Sequence, residues 1–407
     1  MDLPEVRNHA AQATVFVSHA WAYKFCDLIA ALDNWAAEHD EDPHQLFLWI
    51  DLLSVNQHVA PNTTQEWWST VFKNGIEATG RVVLVLAPWS NPIPLTRAWC
   101  LWEIFHASTA QGVSFSVALT DEQEQSLGDA IWDDALSIVP LLCQVDGAKA
   151  EASRPDDLAM IVNAIQAGPG MHALNGSVMD LLRAWLLRAV AKIQAARAPE
   201  PEWRSDLEMI RFQACVALLL GELGQHAKAL ALHEKTLELR RAKLGHDHPH
   251  TLTSMNNLAI SYRDTGQHDK ALALGEQTLE LRRAKLGHNH PATLLTWFSL
   301  ASSHSRIGQH ADALVAYQDV LPRLCAKLGR DHPHTLFCMS NLAICYSDLG
   351  RHAEALTLAQ ETLELRRAKL GPDHPDTLTS MANLATSYSD TGQHAKALAL
   401  NEETLEL

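Results

Sequence analysis

Apolar and polar positions follow two different periods along this chain. Over the first 120 residues the apolar positions gather in short β-rich runs, "ATVFVSHAW" (13–21), "QLFLWID" (45–51), "RVVLVLAPW" (81–89) and "VSFSVAL" (113–119), with "LSIVPLLCQV" (136–145) a weaker fifth. Between and after them lie "YKFCDLIAALDNWAAEHD", "EWWSTVFKNGIEATG" and "PLTRAWCLWEIFHA", whose apolar residues recur at helical spacing. Strands alternating with helices predict a parallel sheet covered on both faces. In an open sheet of flavodoxin-like order the first and third strands lie side by side, and ligands bind beyond their C-terminal ends.

From about residue 203 the pattern repeats every 42 residues. Gly224, Gly266, Gly308, Gly350 and Gly392 sit in "G(Q/R)H", and Gly245, Gly287, Gly329 and Gly371 end "KLG". Within one unit Leu252, Met255, Leu258, Ala259 and Tyr262 follow helical spacing to a turn at Gly266, and Ala271, Leu274, Leu279 and Leu281 continue in a second helix. Pro249, Pro291, Pro333 and Pro375 fall at the start of the first helix, where a missing N–H costs nothing. The unit is a helical hairpin, and hairpins must stack to bury their apolar stripes. Residues 1–150 therefore read as an α/β domain, 151–202 as a helical extension and linker, and 203–407 as an all-α solenoid. The last helix stops at "NEETLEL" without a polar cap, so the array is expected to continue.

The repeats resemble tetratricopeptide repeats of the 42-residue kinesin-light-chain type. That resemblance implies a groove for a protein or peptide, with Asn257, Asn341 and Asn383 in one register and Trp297–Phe298 as an aromatic anchor. Pro322 falls inside the third hairpin and is expected to bend or open it.

At the C-terminal ends of the predicted strands stand Ser18, His19 and Trp21, then Asp51, then Trp89 followed by the helix bearing Trp99 and Glu103. Thr96 is placed to cap that helix, with Trp99 and Glu103 on one face. "TVFVSHAW", "FLWIDLLSVNQ", "RVVLVLAPW" and "RAWCLWEI" resemble the Toll/interleukin receptor (TIR) domain, and "WIDLLSVNQ" is similar to a signature of the related heterokaryon-incompatibility domain. The likeness covers roughly residues 13–150. It implies a flavodoxin-like domain that pairs with its own kind, in which Glu103 hydrolyses NAD, a substrate rather than a cofactor. Trp99 would wall the nicotinamide side, and Lys24 or Arg97 would face the diphosphate near the helix start after Trp21. Two positions depart from active members: "HAW" replaces an aromatic–Arg pair, and Leu53 replaces an acid.

One carboxylate suffices for that reaction. Glycosidases use two because a leaving oxygen must be protonated. Nicotinamide departs from a cationic pyridinium as a neutral molecule, so one desolvated carboxylate can hold the ribose and face the developing positive charge.

The net charge of -16 narrows the partners. Residues 1–150 carry 6 Lys and Arg against 19 Asp and Glu, which repels nucleic acid and anionic lipid. No apolar run approaches the roughly 20 residues of a spanning helix, and no signal peptide precedes the first strand. The seven cysteines are scattered without a C-x-x-C pair, as in a reducing, cytoplasmic setting. The histidines of "GHDHPHT" and "GHNHPAT" recur with the repeat, which marks them as structural rather than as metal ligands. Two further readings compete with a signalling NAD hydrolase: a non-catalytic scaffold, and a cargo adaptor, the latter lacking any heptad stretch before the repeats.

Overall fold

The computed structural model describes residues 12–42, 44–50, 65–134, 138, 145, 147–152, 155–167, 170–197, 206–372 and 374–406. The chain divides into two compact units, Met1–Glu208 with Leu218–Gly224, and Met209–Ala217 with Gln225–Leu407.

The first unit is built on four parallel strands, β1 (Val15–Ser18), β2 (Leu48–Trp49), β3 (Arg81–Val85) and β4 (Ser114–Ala118), in the order β2-β1-β3-β4. The first and third strands are neighbours, with Ser18 opposite Leu84. Helices α1 (Phe25–Glu38), α2 (Gln65–Thr79), α3 (Ala98–Thr109) and α4 (Asp121–Asp134) alternate with the strands. The period of two along β1 separates the faces. Val15 and Val17 pack with Leu28, Leu32 and Trp35 of α1, whereas Phe16 packs with Phe72 and Ile76 of α2 and Ala107 of α3. Ser18, two residues beyond Phe16, therefore faces the layer of α2 and α3. The predicted fifth strand lies almost wholly outside the described residues.

Two further helices, α5 (Pro155–Ala167) and α6 (Met171–Arg197), belong with the sheet. Along α6, Leu174, Val178, Leu182, Leu186 and Val190 are buried at every fourth position, and the helix packs on α3, α4 and β4. Lys192 bridges Glu38 and Glu124 at 2.6 and 3.0 Å, joining α6 to α1 and α4.

After α7 (Asp206–Glu222), the second unit runs α8 (His226–Leu244), α9 (Pro249–Asp264), α10 (His268–Leu286), α11 (Pro291–Arg306), α12 (His310–Leu328), α13 (Pro333–Asp348), α14 (His352–Leu370), α15 (Pro375–Asp390) and α16 (His394–Glu406). Each helix packs on the next. The glycine ending "KLG" has φ 90° and ψ 168° at Gly245, a region open only to glycine, which explains that residue's recurrence. The expected opening at Pro322 does not occur: α12 runs through it, and Arg323 Nε donates to the Asp319 carbonyl at 3.2 Å beside the missing N–H. Tyr317, Val320 and Leu324, all at 0% exposure, hold that helix in the core.

Candidate functional site

The end of β1 meets the face of α3 at a buried carboxylate. Ser18 Oγ donates to Glu103 Oε2 at 2.5 Å, across 85 residues of sequence. Ser18 is fully buried and Glu103 is 6% exposed. A carboxyl group so placed must be held by hydrogen bonds, and the Ser18 hydroxyl supplies one. Next along the chain, the His19 carbonyl accepts from Cys100 Sγ at 3.4 Å, a second tie between β1 and α3.

Of the residues expected to converge, Ser18 and Glu103 do so, with His19 adjacent. Trp99 shares a helix face with Glu103, as its spacing predicts, yet its indole packs on Phe72 at 5.2 Å within the cluster that includes the stacked Phe16–Trp49 pair. Trp89 is 8% exposed and tied to α4 through Gln123 and Ser126. Trp21 and Lys24 lie on the exposed turn after β1, Lys24 as the N-cap residue of α1. Arg97 occupies the N-cap of α3, displacing Thr96, whose hydroxyl bonds the Ile93 carbonyl instead. The free N–H of Ala98 is satisfied by the Glu151 carbonyl at 2.9 Å, a long-range partner that no local motif announces. Asp51 and Leu53 lie outside the described residues. The Tyr23 hydroxyl, missed in sequence, donates to the Ala87 carbonyl at 2.6 Å and accepts from its N–H at 2.9 Å, clipping the turn after β1 to the end of β3. Burial pushes that phenol well above its usual range.

In the second unit Asn257, Asn341 and Asn383 are half-buried, and Asn341 Nδ2 donates to Ser302 Oγ at 3.3 Å. Trp297 and Phe298 both pack against the core of the third hairpin but meet different rings and cations. The guanidiniums of Arg283 and Arg323 lie 4.5 and 5.8 Å from the Trp297 ring centre, and Phe298 packs near Tyr317.

A buried arginine recurs in three of four hairpin junctions. Arg240, Arg282 and Arg366 donate through Nη1 to a backbone carbonyl (His250, Ala292, Asp376) and a hydroxyl (Ser254, Thr296, Ser380) at 2.6 to 3.1 Å. At the remaining junction Leu324 and Cys338 replace the pair, both fully buried. The paired change is visible in sequence once the 42-residue registers are aligned.

The histidines preceding each proline are helix caps. Nδ1 of His248, His290, His332 and His374 accepts the N–H two residues on, at 3.1 to 3.2 Å. Among the described residues no group of three or more His, Cys, Asp or Glu side chains is placed to hold a metal ion, and no helix is long and apolar enough to cross a membrane.

The tetratricopeptide repeat family model matches residues 208–284, 259–326, 323–368 and 335–407. No curated protein matches the chain. Among solved structures it is similar to a Podosopora anserina protein described as a kinesin light chain with nearly identical TPR-like repeats. Identity there is 29% over 49% of this chain and 93% of that one, with a TM-score of 0.43. BtubC from P. vanneervenii is 19% identical over 55% of this chain and 88% of that chain, TM-score 0.44. A Rap protein complexed with competence and sporulation factor is 12% identical over 70% and 74%, TM-score 0.46. The first unit is a small α/β domain on a parallel sheet, and residues 208–407 are a tetratricopeptide-repeat solenoid.

Proposed function

We propose that this chain is a signalling protein whose repeat array engages a protein partner and whose α/β unit cleaves NAD at the nicotinamide–ribose bond. The observation that carries the catalytic part is the Glu103 carboxylate held by Ser18 at the C-terminal end of β1, beside β3. That strand pair is the switch point where open parallel sheets bind ligands. Glu103 faces the positive charge that grows on the ribose as nicotinamide leaves, and Ser18 keeps the carboxylate oriented toward it. Self-association of the α/β units, promoted by the array, raises their local concentration and supplies the switch.

The test is chromatographic: NAD consumption by the concentrated full-length chain, with Glu103→Gln and Ser18→Ala beside it. Wild type is expected to consume NAD, Glu103→Gln on the order of 100-fold more slowly, and Ser18→Ala at an intermediate rate. Equal loss in wild type and Glu103→Gln, or none in either, removes the catalytic reading. The alternative, a non-catalytic scaffold, is favoured by the 6% exposure of Glu103 and by the packing of Trp99 on Phe72. There the Ser18–Glu103 bond only fastens α3 to β1, and Glu103→Gln lowers the melting temperature while NAD is untouched.

A further inference from the structure

Each hairpin is an internal control for the others, and at one seam several departures coincide. Trp297 stands where the other hairpins carry Met255, Met339 and Met381, each at most 1% exposed, yet it is only partly buried. Two adjacent cations have become one, which stands earlier in the register. Helices α8, α10 and α14 read Leu-Arg-Arg at 239–241, 281–283 and 365–367, whereas α12 reads Arg-Leu-Cys at 323–325. Leu324 takes the buried place, and Arg323 is delivered to Trp297, where Arg283 already lies on the ring.

Two acids vanish at the same seam. Pro322 replaces the Glu of positions 238, 280 and 364, and Asn289 replaces the Asp of 247 and 331. The second loss leaves a mark on the ion pairs. Lys285 meets Asp247 and Lys369 meets Asp331, both at 2.7 Å and across 38 residues. Lys327 stands 38 residues after Asn289, whose amide oxygen carries no charge and is taken by Arg323 Nη1 at 2.8 Å. Glu280 is engaged with Arg283 at 3.1 Å, and exposed Asp319 stands one turn before Arg323. Residues 209–407 otherwise balance, 20 Lys and Arg against 21 Asp and Glu.

We propose that Arg283, Trp297, Arg323 and Lys327 form a docking site for an acidic segment of a partner protein, on the seam between the hairpins α9–α10 and α11–α12. The inference rests on the reading of the array as a protein-binding surface and is independent of catalysis. Both guanidiniums lie on one ring, within about 10 Å of each other by the two ring distances. Lys327 sits a turn beyond Arg323. Cations spread in this way match carboxylates carried along an extended segment, which advances about 3.3 Å per residue, better than they match one phosphate. Trp297 holds the two guanidiniums together by cation–π contact.

The experiment is fluorescence anisotropy of a labelled Glu decapeptide titrated with the full chain, with Gln and Lys decapeptides as controls. Wild type should bind the Glu peptide at least tenfold more tightly than either control, with a salt-dependent affinity. Asn289→Asp with Pro322→Glu, which only restores what the other hairpins carry, should weaken binding at least tenfold while circular dichroism and the NAD assay stay at wild-type values. Lys327→Gln should weaken it about threefold. Three results overturn the proposal: equal binding of Glu and Gln peptides, undiminished binding to the Asn289→Asp/Pro322→Glu chain, or full displacement by millimolar inorganic phosphate, which marks a single-anion site. Because NAD turnover is read on the same variant, failure of this site and failure of the catalytic reading are separable.

Discussion

Replacing Arg366 by Leu tests the arginine junction against the chain's own apolar version of it. Arg366 is 2% exposed; its Nη1 donates to the Asp376 carbonyl at 2.8 Å and to Ser380 Oγ at 2.7 Å, and its guanidinium lies 5.1 Å from the Phe337 ring centre. Burial holds its pKa below the usual guanidinium range, so desolvation already offsets part of what the bonds contribute. In Arg366→Leu the Asp376 carbonyl keeps its helical partner, but the Ser380 hydroxyl loses a charged donor. Such a buried group left short of a partner costs about 1–3 kcal/mol. The hydroxyl can turn back to the carbonyl one turn earlier, and Leu adds apolar burial, so a net loss of about 2 kcal/mol is expected. Adding Ser380→Cys reproduces the Leu324–Cys338 pair and should recover about 1 kcal/mol. The assay is urea unfolding of the full chain with hydrogen exchange read over residues 333–390, since a repeat array need not unfold in one step. A single variant within about 0.5 kcal/mol of wild type, or a double variant less stable than the single, refutes the argument.

Two other outcomes follow from the array. His233 is 3% exposed, and burial followed by the charge of Arg240 lowers its pKa from 6.5 to about 4. The unfolded chain therefore binds this proton first: stability is full above about pH 6.5 and falls by about 3 kcal/mol as pH drops to about 4, at 1.36 kcal/mol per pH unit. His233→Leu should flatten that part of a melting-temperature profile, and an unchanged slope counts against the assignment. His374→Ala should cost about 1 kcal/mol through the lost cap on the Asp376 N–H, and His374→Asn, which can accept the same bond, should recover most of it. Equal melting temperatures for Ala and Asn would show that the cap contributes nothing.

The sequence by itself determined the elements and their order. Period two in "TVFVS" and the run "RVVLV" define strands because alternate side chains must face opposite helix layers, and the 42-residue recurrence defines hairpins that cannot be stable alone. The adjacency of β1 and β3 was also legible, since alternating strands and helices leave few orders for a parallel sheet. Only the tertiary structure decided what the polar side chains do. Ser18 and Glu103 are 85 residues apart, and nothing local states that a hydroxyl and a carboxylate will share one bond. Thr96 yields the start of α3 to Arg97 and Glu151 for the same reason: buried donors are satisfied by whichever acceptor the packing delivers, however distant in the chain. Pro322 bends local preference but cannot open its helix against a core of Tyr317, Val320 and Leu324, because packing outweighs one missing N–H.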